Sequence, residues 1–429
     1  MIEKYTEEGE WDFRGVDTKQ YTHCFHIYPA MMIPQIAREL IKRYGKKGGL
    51  VFDPYCGTGT SLVEARIAGM NALGTDLNPT ARMITLAKTR DYNVKNLTKS
   101  INQYLKSIED LMPYISDYSN FEEPEFIMWD RLEEWFPKKS VCEISIALKE
   151  IESIKYKTAQ LFLKIALSEC LRLVSFQRNG EFKQYRIEEE KRKDFYEPLL
   201  PKLKLRIERN LAGVIQFSEK TNKDTKAWVK DFNTVLTSGQ SHFPGIGSSV
   251  DLVITSPPYG DSGTTVAYAQ FSWLSNVWLG LDNRSSSTLD SDLMGGRKTS
   301  INPLDFYKML NCKAIKNAVD NIFSRDEKRA SQVMQFYYDY YLSMKNVALQ
   351  IKKGGYVCYV VGNRIVKGTH LPTDLFTAWA FEQHGFEYIK TLIRDIPNKR
   401  MPSRNSPSNI SGVTNSTMVH EYIVICRKN

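Results

Sequence analysis

The stretch whose residue types could do chemistry is Ser256-Pro257-Pro258-Tyr259, which follows the apolar run Leu252 to Ile254. Such a run, bounded by turn residues, reads as a buried parallel strand. The two prolines stop its ladder and stiffen what comes next, and Gly260 lets the chain turn away. In an open α/β sheet the carboxyl ends of strands are where ligands are handled. A hydroxyl, two carbonyls and an aromatic ring are thus offered together to a flat ligand. An ordinary Pro-rich turn would carry the same residues, so the motif needs support from elsewhere.

That support lies upstream, in Val51-Phe52-Asp53-Pro54-Tyr55-Cys56-Gly57-Thr58-Gly59-Thr60. Gly57 and Gly59 let the backbone approach a ligand closely, as in nucleotide-binding strand–loop–helix units. A carboxylate is expected about twenty residues further on, at the end of the second strand, where it can accept from ribose hydroxyls. Asp76, closing Ala72-Leu73-Gly74-Thr75-Asp76, fills that place. A nicotinamide site would show a third glycine in the loop, and none is there.

Together the two stretches resemble the DNA methyltransferases that modify exocyclic amino groups. Ser256-Pro257-Pro258-Tyr259 resembles their catalytic motif in the form typical of cytosine-N4 enzymes; adenine-N6 enzymes usually carry Asp or Asn where this chain has Ser256. Residues 51–60 resemble the S-adenosyl-L-methionine loop. The resemblance implies an α/β fold, a Rossmann-like class I methyltransferase sheet of seven mostly parallel strands interrupted by a helical insert. It implies catalytic roles for Ser256, Pro257, Pro258 and Tyr259, and cofactor contacts from Asp53, Cys56, Gly57, Gly59, Thr60 and Asp76. Val229-Lys230-Asp231-Phe232 resembles the acidic turn that meets the cofactor's adenine, which adds Asp231 and Phe232. His26-Ile27-Tyr28-Pro29-Ala30 looks like the segment beside the methionine end. The implied activity is site-specific methylation of cytosine N4 in duplex DNA, within a restriction-modification system that also holds a cognate endonuclease.

The chemistry is demanding in a specific way. An exocyclic amine is a weak nucleophile because its lone pair is delocalised into the ring. In this family's scheme Ser256 and the Pro257 carbonyl accept from the amine while Tyr259 stacks on the ring. The work is positioning and electrostatics more than covalent catalysis. A base inside a duplex cannot reach the loop and must be flipped out.

The elements that must position these residues alternate strand and helix over 21–95 and again over 227–429. The first block carries the cofactor half and the second the catalytic half, with a loop and helical insert at about 285–340. Helical patterning from Ile33 to Tyr44 starts with Pro34, which suits a first turn. Strands are expected at 50–52, 72–76, 227–236, 252–254, 353–363, 388–393 and 421–426, with a helix over 373–384. Between the halves, 96–226 loses the strand–helix rhythm. Helical patterns at 141–154 and 158–174 and a stretch of mixed charge make it too long for a loop, so a separate helical subdomain is expected, the target-recognition candidate. Within it, Arg178, Asn179, Lys183 and Arg186 mix basic and amide groups with aromatics, which suits phosphate contact and base-edge readout; a solvated turn remains the other reading. Residues 303–349 read as helix, and 397–411 as a basic loop. The motif order is like the α type, but the insert comes earlier than that order would put it, which leaves open which insert reads the target.

Composition narrows the classes. With 429 residues, 42% hydrophobic, the chain can bury a sizeable core. No run of eighteen apolar residues occurs, so no membrane span is expected, and the N-terminal residues lack the apolar region of a secretory signal. Seven cysteines without a Cys-x-x-Cys pair point to a reduced, cytoplasmic protein without disulfides or structural zinc. His23, Cys24 and His26 have no fourth ligand close by. The formal charge of +9 suits a polyanionic partner. No cysteine directly follows a proline, which sets aside cytosine-C5 chemistry. An adenine-N6 enzyme, an RNA guanine-N2 methyltransferase with its Asp-Pro-Pro-Tyr, and a non-catalytic DNA-binding subunit remain as alternatives.

Overall fold

The structure, a computed structural model, describes residues 10–114, 132–180, 182–221, 223–235, 247–261, 265–282, 284–296, 303–396, 404–405, 415–416 and 420–429. Most of the expected basic loop at 397–411 lies outside the described residues.

Seven strands form one sheet: β1 (Leu50–Asp53), β2 (Asn71–Thr75), β3 (Ala227–Lys230), β4 (Val250–Thr255), β5 (Ile351–Val361), β6 (Phe386–Asp395) and β7 (His420–Lys428). Their spatial order is β3-β2-β1-β4-β5-β7-β6. All neighbours are parallel except β7, which runs antiparallel to both β5 and β6. Strand order reverses direction between β1 and β4, whose register pairs Val51 with Leu252 and Phe52 with Val253. The two motif loops leave the carboxyl ends of these strands, at the place where doubly wound sheets open a crevice.

β1, β4 and the second half of β5 are apolar on both faces, as the middle of a sheet covered on both sides requires. Successive side chains alternate between the covers. Val51, Leu252, Ile254, Cys358 and Val360 join a core with α1 (Pro34–Tyr44) and α2 (Thr60–Ile67). Phe52, Val253, Val357, Tyr359 and Val361 join the opposite core. That side is covered by α11 (Pro303–Met309), α12 (Lys313–Phe323), α13 (Glu327–Ala348) and α14 (Thr373–Glu382). The stretch 303–349, expected to be helical, forms three helices, α11, α12 and α13. Asp326 makes one break, because its side chain accepts from the Arg329 N–H at 2.9 Å and caps α13.

The remaining helices are α3 (Pro79–Thr89), α4 (Val94–Leu111), α5 (Lys138–Ser153), α6 (Lys157–Leu171), the short α7 (Glu189–Arg192), α8 (Leu199–Lys220), α9 (Tyr268–Trp278) and α10 (Ser286–Asp292). The 96–226 insert is helical, but it does not carry a core apart from the sheet domain. Ile84 and Ala87 of α3 and Leu274 and Trp278 of α9 belong to the same buried cluster as Ile144, Phe162, Leu167 and Leu203 of the insert. Helix α6 packs against both α3 and α9, and the apolar stripes of α4 and α8 close over α6 from the other side. The insert is consequently fixed to the two helices that follow Asp76 and the catalytic loop.

Candidate active site

A cavity with an empty volume of about 990 Å³, counted out to its solvent mouth, opens at the ends of β1, β2, β3 and β4. Its wall contains Asp53, Cys56, Gly57, Thr60, Asp76, Phe232, Ser256 and Pro258. Residues separated by two hundred positions thus meet in one crevice. Tyr28 to Met32 close one side, and Tyr268, Leu293 and Met294 another.

Asp53 holds the centre together. Its Oδ1 accepts from Thr255 Oγ1 at 2.6 Å and from the Tyr55 N–H at 3.1 Å, and its Oδ2 accepts from Ser61 Oγ. Burial pushes its carboxyl up to about 6 against the pull of these hydrogen bonds. The carboxylate is occupied in joining β1, β4 and α2.

The loop after β1 is fixed from several sides. The Cys56 N–H donates to Thr75 O at 2.9 Å, Thr75 Oγ1 donates to Pro54 O, and Thr85 Oγ1 donates to Gly57 O, each at 2.8 Å. Gly59 has φ +76°, and a Cβ there would meet Thr85 Cγ2 at 2.5 Å, so the glycine lets α3 approach. Gly57, at φ +48°, differs: a Cβ there would meet nothing within 4 Å. It borders open space on the cavity side. Burial holds the Cys56 sulfur firmly as a thiol.

Asp76 accepts from the Gly57 N–H at 2.9 Å through Oδ2 and from the Asn78 N–H at 2.8 Å through Oδ1. Each oxygen keeps a further lone pair, enough for two hydroxyls. Burial raises its pKa. Asp231 stands elsewhere. It is not in the cavity wall, and its exposed carboxylate lies 3.0 Å from Arg82 Nη2. Arg82 also donates to the Asp76 carbonyl at 2.9 Å, so it ties the turns after β2 and β3 together. Phe232 does line the cavity, as do Asn233 and Thr234.

In the catalytic loop, Ser256 and Pro258 line the cavity, whereas Pro257 is buried and the half-buried Tyr259 is next to them in the loop but outside the wall. Ser256 Oγ donates to Tyr259 Oη at 3.2 Å, and Tyr259 Oη donates to Glu421 Oε1 at 3.0 Å. Beyond Gly260, Asp261 Oδ2 accepts from Arg329 at 3.1 Å and from Arg364 at 3.2 Å.

Residues 3–87 match the DNA methylase family. Over 427 residues the chain is 35% identical to the type II methyltransferase M.MvaI of Kocuria varians, covering 97% of this chain and 93% of that protein. This chain belongs to the DNA methylase family. It is also 28% identical over 163 residues to the type II methyltransferase M.MjaII of Methanocaldococcus jannaschii, covering 36% of this chain and 30% of the relative. A tRNA (guanine(10)-N2)-dimethyltransferase of the same organism is 34% identical over only 70 residues, 16% of this chain and 20% of its own.

As a DNA methylase the protein uses S-adenosylmethionine as its methyl donor. The residues present fit that group. Open space at Gly57, the spare lone pairs of Asp76 and the ring of Phe232 suit a ribose and a flat base. When bound, the donor supplies a methyl group on a positively charged sulfonium.

The DNA candidates of this methylase lie on a hairpin-like turn. Gln177 pairs with Arg186 in an antiparallel bridge, and the Arg178 N–H donates to Tyr185 O at 2.7 Å. Arg178, Asn179 and Lys183 are exposed. Arg186 is half-buried, its Nη1 2.6 Å from Glu134 Oε2 and its guanidinium 5.3 Å above the Trp135 ring. It fastens the turn to the insert. His23, Cys24 and His26 do not converge on one point: His23 Nε2 meets Glu64, His26 meets Ser168, and Cys24 donates to Tyr21 O.

Reading the sequence missed Asn78, whose Nδ2 donates to Tyr28 Oη at 2.9 Å and Ser272 Oγ at 2.8 Å. It thereby locks the 28–32 segment to α9. The signal was present, since Asn78-Pro79 is a capping residue followed by an N1 proline. Glu421 carried no local signal.

Proposed function

We propose that this DNA methyltransferase methylates the exocyclic N4 amine of cytosine in duplex DNA, protecting that DNA from a cognate endonuclease. The observation that carries the reading is Ser256 in the cavity wall beside Pro258, Asp53 and Gly57. A hydroxyl there accepts from an amine without placing a formal charge against a cytosine ring. Ser256 Oγ and the Pro257 carbonyl take the two amine hydrogens and draw the nitrogen lone pair out of the ring plane. Tyr259 supplies a face for the flipped base. The full-length likeness to a type II methyltransferase supports a DNA substrate and a restriction-modification setting.

Target DNA is read in this proposal by Arg178, Asn179 and Lys183. Their turn is bound to the helix after the catalytic loop, for the Gln184 N–H donates to Gln270 Oε1 at 3.2 Å. Ser286 Oγ of α10 donates to Gln184 Oε1 at 3.1 Å. A contact to phosphate at the turn is therefore rigidly linked to Tyr268 and the cavity.

Incubating unmethylated plasmid DNA with the protein and labelled S-adenosylmethionine, then digesting to nucleosides for mass spectrometry, tests the product. N4-methylcytidine is expected as its deoxynucleoside. N6-methyldeoxyadenosine instead would keep the enzyme class and overturn the base assignment; label in tRNA alone would overturn the substrate.

A further inference from the structure

We infer that Glu421 is a positioning residue that fixes the hydrogen-bond polarity of Ser256, through Tyr259, so that Ser256 meets the target amine as an acceptor only. The inference rests on the amino-methyltransferase reading of the site.

Glu421 stands opposite Arg394 on the neighbouring strand, and Arg394 Nη1 contacts Glu421 Oε2. Arg394 is itself buried, with Nε donating to Trp11 O at 2.9 Å. Held by a guanidinium, the Glu421 carboxylate has lone pairs alone to offer. Tyr259 must then be the donor across their 3.0 Å contact. Burial and the Glu421 charge hold the phenol pKa far above its ordinary value, so its proton stays in place. With that proton committed, the phenol oxygen can only accept, and Ser256 donates to it at 3.2 Å. The single hydroxyl hydrogen of Ser256 is thereby turned away, and its lone pairs remain for an N–H. A hydroxyl otherwise rotates to suit its neighbours. An amine needs two acceptors to localise its lone pair, and a misoriented Ser256 would offer a donor instead. Glu421 is not part of the cavity wall, so it acts only through the loop.

Two substitutions separate polarity from packing. Glu421→Gln keeps the shape but adds an N–H₂ that can donate to Tyr259 and reverse the chain; Glu421→Asp is shorter but remains an acceptor. Single-turnover methylation of unmethylated plasmid DNA is expected to fall about tenfold to a hundredfold in Glu421→Gln and within about threefold in Glu421→Asp. S-adenosylmethionine affinity by calorimetry is expected to be unchanged in both. Tyr259→Phe, which cuts the chain but keeps the ring, is expected to match Glu421→Gln. In a Ser256→Asp background, where the carboxylate needs no orienting, adding Glu421→Gln is expected to cost no further loss. Gln ranking above Asp, or equal losses with and without the Ser256 hydroxyl, overturns the inference and leaves Glu421 a packing residue. Wild-type protein that methylates no DNA would instead sink the underlying reading.

Discussion

Thr255 gives its hydroxyl hydrogen to Asp53 across 2.6 Å, and so joins the carboxyl ends of β1 and β4. The cofactor loop leaves one of those ends and the catalytic loop the other. Their relative placement therefore depends on this bond as well as on the short parallel ladder, which pairs only Val51–Leu252 and Phe52–Val253.

Thr255→Val removes the donor while keeping the shape. A net loss of about 1–2 kcal/mol in urea unfolding is expected, since a buried acceptor loses one partner. Turnover is expected to fall more than stability alone explains, because the loops lose a shared anchor. An unchanged unfolding midpoint together with unchanged turnover would show that the ladder suffices.

The cofactor assignment makes a sharp pair of expectations. Gly57→Leu would put a side chain into open space at a positive φ, straining the loop modestly while blocking the cavity. Asp76→Ala removes the ribose acceptor and frees the Gly57 and Asn78 N–H groups. Each is expected to weaken S-adenosylmethionine binding by about 1–3 kcal/mol, about fivefold to more than a hundredfold. Calorimetry on folded variants is the check, and full affinity in both would move the cofactor elsewhere.

Arg178 and Arg186 lie on one turn, yet different outcomes are expected for them. Arg178→Ala and Lys183→Ala should each weaken DNA binding across sequences and lower the salt slope by about one. Arg186→Ala, which loses Glu134 and the Trp135 ring, should chiefly destabilise the turn. Fluorescence anisotropy over a salt series distinguishes them; equal slope changes for Arg178→Ala and Arg186→Ala would contradict the assignment.

Buried titratable groups oppose each other at mildly acid pH. Burial holds His23 down to about 4, below its ordinary 6.5, although the Glu64 hydrogen bond pulls it up. The unfolded chain then binds the proton first, so its contribution is complete above 6.5 and is lost as pH falls toward 4. Asp53, pushed up to about 6 from 3.8, has the opposite sign: its folded form is favoured below 4 and loses ground as pH rises to 6. The whole-protein profile is thus a partial cancellation. Comparing wild type with His23→Gln removes it, and the wild type's relative stability should fall by about 1.5 kcal/mol between pH 6.5 and 5. A difference independent of pH would mean that His23 titrates normally.

Much of this protein could be read from local pattern alone. Seven strands appear near their expected places because buried parallel strands leave continuous apolar runs bounded by turn residues. The Gly57 loop, Asp76, Phe232, Ser256 and Pro258 announce themselves through residue type and spacing, and all line one cavity. These features share a cause: a strand end, a tight loop and a ligand contact each restrict the few residues involved. Tertiary structure decided the rest. Asp231 lies beside Arg82, Arg186 serves Glu134, and the helical insert shares its core with α3 and α9. Glu421 meets Tyr259 across 162 residues because β7 is threaded antiparallel between β5 and β6. Which partner a long charged side chain finds depends on what the folded chain brings within a few ångströms, and spacing along the sequence carries no record of that.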